Sequence, residues 1–383
     1  FIMSEINAGI FKKEEGGSSP ELIGKTELTS PYFMVPPSGT TAQRPSDCAP
    51  GTLRFNTDIG SLEYFRGDTL GWESIDRVSP NLGGGTGSNT GTGARGFIGG
   101  GNGPTPAANT MHNTIDFITI STFGNAQDFG DLTRASTAAS GSSSRTRGLF
   151  TNRRTFPSPD SYFNEIDYIT IASLGNAIDF GDAVLVNGYG RAFSNQIRSV
   201  NALLSSVNSM GYVTIASTGN AVDFGDTTES HESGAAFAST TRGVMAGGQS
   251  KNVIDFVTIM TTGNATDFGD MNTATSTSQG MANSTRGVIK KRLTPSYTNA
   301  IDYLTIATTG NSIDFGDFIN NTASGVGCAS PTRGCFCGGY GSPAFRTDIG
   351  SIEIPTTGNA LDFGDLTYTA DHAAGSSNAH GGL

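Results

Sequence analysis

The sequence predicts an all-β fold built from repeated units, and three observations support this prediction. A motif made in most copies of a Thr-Ile pair, a Gly-Asn turn and an Asp-Phe-Gly-Asp tetrad occurs six times, with the turn asparagine at Asn125, Asn176, Asn220, Asn264, Asn311 and Asn359. Successive asparagines are 44 to 51 residues apart. β-Branched and aromatic residues are concentrated around the motif, and no segment has a convincing helical period.

The second copy shows which elements each unit contains. Residues 166–171, Ile-Asp-Tyr-Ile-Thr-Ile, predict a strand whose apolar side chains lie on both faces, which is typical of a strand covered on both sides. Gly175 and Asn176 tolerate positive φ and predict a turn. Residues 177–180 then return as the partner strand of a hairpin. The Ser/Thr/Ala-rich stretch that follows is polar enough for an outer or edge strand.

An Arg-Gly marker precedes most copies of the motif and begins a further apolar strand. The marker arginines are Arg95, Arg147, Arg242, Arg286 and Arg333. Between Arg147 and Arg242 we identify Gly190-Arg191 as a degenerate marker. Each unit of about 47 residues therefore contains three or four short strands.

Units of this length and strand content favour a β-propeller of six blades, because propeller blades have four strands and about 40–50 residues. The alternatives are a β-solenoid, whose coils are usually shorter, and a string of separate small β-domains. Gly-Gly doublets at 99–100, 247–248 and 338–339 resemble those of kelch-type propellers, but the other units lack them.

Two questions about the number of units stay open on the sequence alone. The tail His380–Leu383 begins one repeat step after Arg333, so it helps to close one blade with the other chain end, is a frayed terminus, or belongs to a truncated longer array. Residues 57–63 nearly duplicate residues 347–353 of the sixth unit, so residues 46–80 are either a degenerate seventh unit or an unrelated hairpin.

Composition and charge exclude several classes of protein. The chain has 53 Gly and 33 Phe or Tyr among 383 residues, without the three-residue glycine period of collagen and with enough aromatic residues for a core. A net charge of −11 with scattered Lys and Arg argues against nucleic-acid binding. No apolar run approaches the ~20 residues of a membrane span. The first residues show no secretory signal and four Cys make no disulfide framework, so we expect synthesis in a reducing cytoplasm.

The aspartates of the six tetrads are predicted to be structural, forming ion pairs with the marker arginines. They are Asp128, Asp131, Asp179, Asp182, Asp223, Asp226, Asp267, Asp270, Asp314, Asp317, Asp362 and Asp365. The alternative is a series of Ca²⁺ sites, since Asn176, Asp179 and Asp182 supply hard oxygen atoms in a short span. The spacing matches no EF-hand, and we predict no metal and no cofactor.

No residue is predicted to be catalytic. Asp-Phe-Gly also occurs in protein kinases, but the other kinase motifs are missing. Cys328, Cys335 and Cys337 lack the ligand number of a zinc site and are predicted to be buried apolar residues. The four histidines, His112, His231, His372 and His380, lie in polar stretches without a nucleophile motif. A glycosidase carboxylate pair leaves no short motif, so a glycan-degrading activity stays open.

The N-terminal region differs from the repeats. Residues 1–50 are polar and Pro-rich and predict an extended arm, residues 51–80 a β-hairpin module, and residues 81–93 a Gly-rich linker to the repeat domain 94–383. Arg44-Pro45, residues 51–58 (Gly-Thr-Leu-Arg-Phe-Asn-Thr-Asp), residues 62–64 (Leu-Glu-Tyr) and Gly71-Trp72 resemble a short module of tailed-bacteriophage virion proteins, common in tail fibres. The Thr-Gly-Asn-Ala-x-Asp-Phe-Gly-Asp repeat resembles structural proteins of aquatic phages.

These resemblances imply a non-enzymatic virion protein, made in the host cytoplasm and exposed on the particle. The N-terminal module would bind other virion proteins, the chain would form a homo-oligomer, and the repeat domain would contribute to adsorption on a host surface glycan or protein. The alternatives are a decoration or scaffold subunit without a host ligand, and a glycan-degrading appendage. Candidate host-contact residues are aromatic residues in the segments that vary between units: Tyr162, Phe163, Tyr189, Tyr297, Tyr340 and Phe345.

Overall fold

The computed structural model describes residues 36–58, 61–74, 94–104, 109–155, 161–186, 188–202, 208–293, 296–341 and 344–383. Within these ranges the regular structure is β, apart from one 3-10 turn, which confirms the predicted all-β class. Two compact units divide the chain between Val78 and Ser79. The predicted linker 81–93 and residues 1–35 of the predicted arm lie outside the described residues.

The N-terminal unit is one four-stranded sheet, ordered β1-β2-β3-β4. Its elements are β1 (Ser38–Gly39), the 3-10 turn Thr41–Gln43, β2 (Leu53–Asn56), β3 (Ser61–Phe65) and β4 (Trp72–Ser74). Glu63 is fully buried, accepts hydrogen bonds from Arg44 (2.6 Å) and Asn56 (3.0 Å), and lies 3.6 Å from Arg54. The Arg44 hydrogen bond lowers the pKa of Glu63. Residues 36–50 therefore belong to the hairpin module, which corrects the predicted separate arm for the described part of that segment.

Six further four-stranded antiparallel sheets follow, numbered here by the repeat they contain. Sheet 2 consists of β10 (Ser140–Ser143), β11 (Arg147–Thr151), β14 (Glu165–Thr170) and β15 (Ile178–Asp182). Sheet 3 consists of β16 (Arg191–Ser194), β17 (Arg198–Ala202), β18 (Ser209–Thr214) and β19 (Val222–Asp226). Sheet 4 consists of β20 (Ala235–Ala238), β21 (Arg242–Gly248), β22 (Lys251–Thr258) and β23 (Thr266–Thr275).

The series ends with a sheet made from both ends of the repeat domain. Sheet 5 consists of β24 (Thr277–Ala282), β25 (Arg286–Arg292), β26 (Ala300–Thr305) and β27 (Ile313–Asp317). Sheet 6 consists of β28 (Val326–Ala329), β29 (Arg333–Cys337), β32 (Asp348–Glu353) and β33 (Leu361–Asp365). Sheet 1 consists of β34 (Ala374–Ser377), β5 (Arg95–Gly99), β8 (Thr114–Thr119) and β9 (Gln127–Asp131).

Three two-stranded hairpins extend the loops between second and third strands. They are β6 (Asn102–Pro104) with β7 (Asn109–Met111), β12 (Arg153–Thr155) with β13 (Ser161–Phe163), and β30 (Tyr340–Gly341) with β31 (Ala344–Phe345).

The first strand of each sheet contacts the first strand of the next, and β34 of sheet 1 contacts both β28 and β10. A buried apolar cluster lies between each pair of successive sheets, including sheets 6 and 1. The third strands are apolar on both faces as predicted: Ile166 packs toward sheet 3, whereas Ile169 and Ile171 pack toward sheet 1. The Ser/Thr/Ala-rich strands are edge strands, but each forms the inner edge of its sheet and is buried. Small residues are needed there because six strands approach one another.

The Gly-Asn turn of each sheet binds the outer strand of the preceding sheet. Between sheets 1 and 2, Gly175 N donates to Phe129 O (2.9 Å), Ala177 N donates to Asp131 O (2.7 Å), and Asn176 Oδ1 accepts from Asp131 N (3.0 Å). The same three hydrogen bonds occur at all six interfaces, with Ser312 in place of Ala between sheets 4 and 5. We call this set of bonds the inter-sheet turn contact.

The marker arginines do not pair with the tetrad aspartates, so that prediction was wrong. Arg147 stacks on Tyr168 of its own sheet, 4.8 Å from the ring centroid, and donates to the Ile215 carbonyl of sheet 3 (3.0 Å). Equivalent contacts are made by Arg95, Arg198, Arg242 and Arg286. Arg333 also donates to a carbonyl of the next sheet, that of Ile120, but it stacks on Phe123 of that next sheet. Among the described residues, no tetrad carboxylate lies in an ion pair, because the tetrads lie on the outer strands, away from the marker guanidinium groups.

Arg198, and not Arg191, is the marker of the third unit. The marker glycine normally leaves room for a side chain from the inner strand of the preceding sheet. At Gly287, for example, an added Cβ atom would lie 2.0 Å from the ring of Phe237. In unit 3 the residue after the arginine is Ser199, and its neighbour is the small Ser142, with the two hydroxyls 2.7 Å apart. The marker of unit 3 was therefore not recognised in the sequence, because Ser199 stands at the glycine position and its packing partner on the preceding sheet is the small Ser142.

We predict that Gly287→Ala destabilises the protein by about 1–3 kcal/mol, because the added methyl overpacks the Phe237 ring. Urea unfolding of Gly287→Ala, Phe237→Ala and the double variant would measure this in a double-mutant cycle. In the Phe237→Ala background the Gly287→Ala cost should fall below about 1 kcal/mol. An equal cost in both backgrounds would show that the ring contact is not the reason for this glycine.

Candidate functional site

The loops that vary between units all open on one side of the six sheets. In an antiparallel sheet of four strands, the loop between strands two and three and the loop after strand four leave from the same end. The Gly-Asn turns and the Arg-Gly turns leave from the opposite end. We call the first end the variable-loop face. Isolated bridges join its loops across neighbouring sheets, as between Thr137 and Arg154 and between Ala323 and Tyr340.

The six predicted contact residues all lie on the variable-loop face, where they pack against cations and one another. The Arg154 guanidinium lies between the rings of Tyr162 (5.5 Å) and Tyr189 (5.2 Å), and Tyr189 packs edge-on against His372 (5.4 Å). Phe163 lies under Arg134, with 4.2 Å between the guanidinium carbon and the ring centroid.

The remaining three predicted residues form a second group. Tyr340 contacts both Tyr297 (5.8 Å) and Phe345 (5.1 Å), and Arg292 stacks on Tyr297 at 5.0 Å. Tyr162 is 40% exposed, and the other five are partly buried. The structure thus brings five of the six predicted residues together in two clusters, around Arg154 and around Tyr340, and places Phe163 beside Arg134.

Five backbone hydrogen bonds form an incomplete circle, interrupted between Ser278 and Ser324, around the opening at the centre of this face. Tyr189 N donates to Ala138 O (3.1 Å), Ser233 N to Tyr189 O (3.1 Å), Ser278 N to Ser233 O (2.9 Å), His372 N to Ser324 O (2.6 Å), and Ala139 N to His372 O (3.4 Å). Five of these residues have positive φ without being glycine: Ala138, Tyr189, Ser233, Ser324 and His372. Each such residue costs of order 1 kcal/mol or more, and strain of this kind is concentrated at functional sites.

The cavity inside this circle is lined by all six inner strands. Most of its wall is Gly or Ala, for example Gly141, Ala236, Gly280 and Gly375. The larger polar side chains that reach it are Arg191 and Gln279. Burial lowers the pKa of Arg191 to about 10, so the guanidinium stays charged at neutral pH. The opposite end of the central space is covered by His380, whose Nε2 lies 3.1 Å from Ser143 O, and by Gly381, whose N donates to Ala282 O (2.9 Å).

Four buried aspartates at the start of third strands were not recognised from the sequence: Asp116, Asp167, Asp255 and Asp302. Three accept hydrogen bonds from the loop that follows the outer strand of the preceding sheet, as Asp167 does from Thr133. Asp302 accepts from Asn272 within the outer strand itself. Of the four, all but Asp116 also have a cationic or titratable partner, namely Arg153 (2.7 Å), His231 (3.0 Å) and Lys291 (2.7 Å). The recurrent Ile-Asp pair at residues 115–116, 166–167, 254–255 and 301–302 was the signal that could have revealed them.

These carboxylates differ in their electrostatics. Burial raises the pKa of Asp116, since Thr367 is its hydrogen-bond donor and no cation lies beside it in the described residues. Burial alone would also raise the pKa of Asp255, but the hydrogen bonds from His231 and Thr228 outweigh it and lower that pKa. The buried aspartates therefore join successive sheets below the variable-loop face.

The three clustered thiols and the turn asparagines have packing and hydrogen-bonding roles in the described part of the chain. Cys328, Cys335 and Cys337 are buried in the apolar cluster between sheets 6 and 1, which confirms their predicted burial. Asn176, considered for Ca²⁺, uses its Oδ1 in the inter-sheet turn contact. Within the described ranges, no group of three or more His, Cys, Asp or Glu side chains is placed to hold a metal ion. No helix in those ranges has the length and apolar character needed to cross a membrane.

No protein-family model and no curated protein matches the chain. Among solved structures, the chain is similar to one titled "Structure of YjhT", with a TM-score of 0.52 and 8% sequence identity. The similarity covers 70% of this chain and 97% of the other. At this identity the likeness concerns the fold alone.

We predict that Ala138→Gly increases the free energy of unfolding by about 0.5–1 kcal/mol, because glycine adopts the φ of 55° without steric cost. Ala139→Gly is the matched control, since Ala139 has no positive φ and should lose stability. Urea unfolding of both variants measures the difference. A loss of stability in Ala138→Gly would contradict the strain inferred at the central opening.

We predict that Lys290 makes stability depend on pH between about 7 and 10. Burial lowers the pKa of Lys290 to about 7, and its Nζ bonds the Thr322 carbonyl at 2.5 Å. The unfolded chain therefore binds more protons than the folded chain in this interval, so stability rises with pH by at most about 1.4 kcal/mol per unit. Unfolding of wild type and Lys290→Met across this range would measure the effect, which the variant should lack.

Proposed function

We propose that this chain is a non-enzymatic structural protein of a tailed-phage virion and that its six sheets form a six-bladed, kelch-like β-propeller. The closed series of inner strands, the sheet made from both chain ends and the Gly-Gly corners support the propeller. Gly100, Gly247 and Gly338 have φ of 61–68°, and the glycines after them 93–103°. The virion role rests on the sequence resemblance of the N-terminal module and the repeats.

The main support for the proposal is that the contacts repeated between sheets, which form the framework, are separate from the variable-loop face. The inter-sheet turn contacts and the stacked arginines repeat at every interface, whereas the aromatic clusters around Arg154 and Tyr340 occur once each. Ordered aromatic rings with adjacent cations are suited to contacts with sugars or polar protein surfaces. We therefore propose that the variable-loop face contributes to adsorption on a host surface glycan or protein.

In this proposal the N-terminal unit binds other virion proteins. Glu63, Arg44 and Arg54 lie in the sequence string on which the phage resemblance rests, and they form the buried polar centre of this unit. The sequence resemblance to phage proteins therefore includes the residues that stabilise the fold of this module. Exposed copies of the repeat domain, joined as a homo-oligomer in the particle, would present the variable-loop face outward.

We predict that the full chain binds bacterial surface polysaccharides on an immobilised array and that Tyr162→Ala combined with Tyr340→Ala weakens this binding at least tenfold. The control is Leu361→Ala, because Leu361 is 66% exposed on an outer strand away from the variable loops. Urea unfolding of all variants verifies that the fold is retained. Equal binding by both variants would contradict adsorption through this face, and absence of binding would favour the decoration or scaffold role.

The same polysaccharides distinguish binding from degradation. After incubation with the chain, size-exclusion chromatography should show unchanged polymer length. Shortened chains would overturn the non-enzymatic proposal in favour of a glycan-degrading appendage.

A further inference from the structure

Arg191 is half-buried, and its partners differ from those of the buried cations near the variable-loop face. Arg153 is buried and pairs with Asp167 (2.7 Å) and Glu165 (3.3 Å). Lys291 pairs with Asp302 at 2.7 Å. The Arg191 guanidinium instead donates to two backbone carbonyls, those of Gly234 and of Gly190 (3.2 Å). No carboxylate among the described residues lies within 4.0 Å of it.

The charged groups around Arg191 compensate its positive charge only in part. Glu232 acts on it electrostatically and raises its pKa against the larger effect of burial, but its carboxylate does not form an ion pair with the guanidinium and accepts a hydrogen bond from Gln249 at 2.6 Å. His231, on the adjacent loop, is paired with Asp255. A guanidinium has five donors arranged to match a carboxylate or an oxyanion, so a cation held in this way is suited to such a ligand.

The cavity beside Arg191 offers both space and a second polar group. Its walls are formed largely by Gly and Ala, so few side chains extend into it. Gln279 reaches the same cavity, is 5% exposed, and has an Oε1 without a hydrogen-bond partner in the described part of the chain. A buried acceptor left unpaired costs about 1–3 kcal/mol, which a ligand hydroxyl would recover.

We propose that the central opening of the variable-loop face is an anion-binding site in which Arg191 binds the anionic group and Gln279 accepts a hydrogen bond from a neighbouring hydroxyl. The anionic group has two sources, a free inorganic oxyanion or the carboxylate of an acidic sugar. The Gln279 acceptor favours the acidic sugar, since a sugar carries several hydroxyl donors beside its carboxylate, whereas sulfate carries none. Tyr189 of the first aromatic cluster belongs to the circle around this site, but no residue of either cluster lines the cavity itself. The existence of the site does not depend on the virion role.

Isothermal titration calorimetry on the full chain tests the site with three probes at constant chloride: sodium glucuronate, glucose and sodium sulfate. We expect glucuronate to bind at least tenfold more tightly than glucose. Arg191→Met should weaken glucuronate binding at least tenfold, whereas Arg145→Met, which removes an exposed arginine on the opposite face, should change it less than twofold. Gln279→Leu should weaken glucuronate binding at least threefold and leave any sulfate binding unchanged.

Each other result overturns part or all of the proposal. Sulfate binding that equals glucuronate binding and is lost in Arg191→Met would assign the site to inorganic oxyanions and remove the role of Gln279. Equal binding by wild type and Arg191→Met, or no binding of either anion, would overturn the site. Arg191→Lys keeps the charge, so its urea unfolding and binding separate a lost ligand contact from a lost fold. Absence of binding on the polysaccharide array would contradict the adsorption proposal but would not affect this calorimetric test. Failure of the adsorption proposal and failure of the anion site are therefore distinguishable.

Discussion

The inter-sheet turn contact is the interaction on which the six-sheet architecture depends. An outer strand normally exposes unpaired backbone groups, which makes it a site for unwanted pairing. Here the next sheet places a Gly-Asn turn against that edge and satisfies Phe O, Asp O and Asp N of the tetrad. The contact between sheets 6 and 1, through Gly124, Asn125 and Phe363, is the same as the others. One local solution thus stabilises every interface and the closure of the series.

Close approach of backbones explains the glycine content better than turn chemistry alone. In the tetrad, Gly130 has a φ of 148°, and a Cβ there would lie 2.5 Å from the Gly175 carbonyl oxygen of the adjoining turn. On the inner strands, a Cβ at Gly141 would lie 2.4 Å from the Gly375 carbonyl oxygen. The marker glycines receive side chains of the preceding sheet. Glycine therefore recurs where two sheets meet: on the outer strands, at the marker positions and on the inner strands.

The framework and the variable-loop face use charge differently. The tetrad aspartates lie on the outer strands without ion pairs among the described residues, and they supply much of the acidic balance of the chain. Below the variable-loop face, buried aspartates are hydrogen-bonded across the interfaces, and three of the four lie beside an Arg, His or Lys side chain. At the central opening, positive-φ residues and an unpaired arginine are retained at an energetic cost, which the surrounding hydrogen bonds and apolar clusters offset.

The sequence by itself determined the all-β class, the repeat, the hairpin of third and fourth strands and the turns, because these follow from local propensity and spacing. It also located the aromatic residues in the variable segments. It could not determine the partners of the marker arginines, since Tyr168 and the Ile215 carbonyl reach Arg147 only when two sheets pack. Nor could it identify Arg198-Ser199 as a marker, because the compensating residue is Ser142 on another sheet. The opening around Arg191 was likewise decided by tertiary structure, since its walls come from six strands that are distant in the chain and converge because their residues are small.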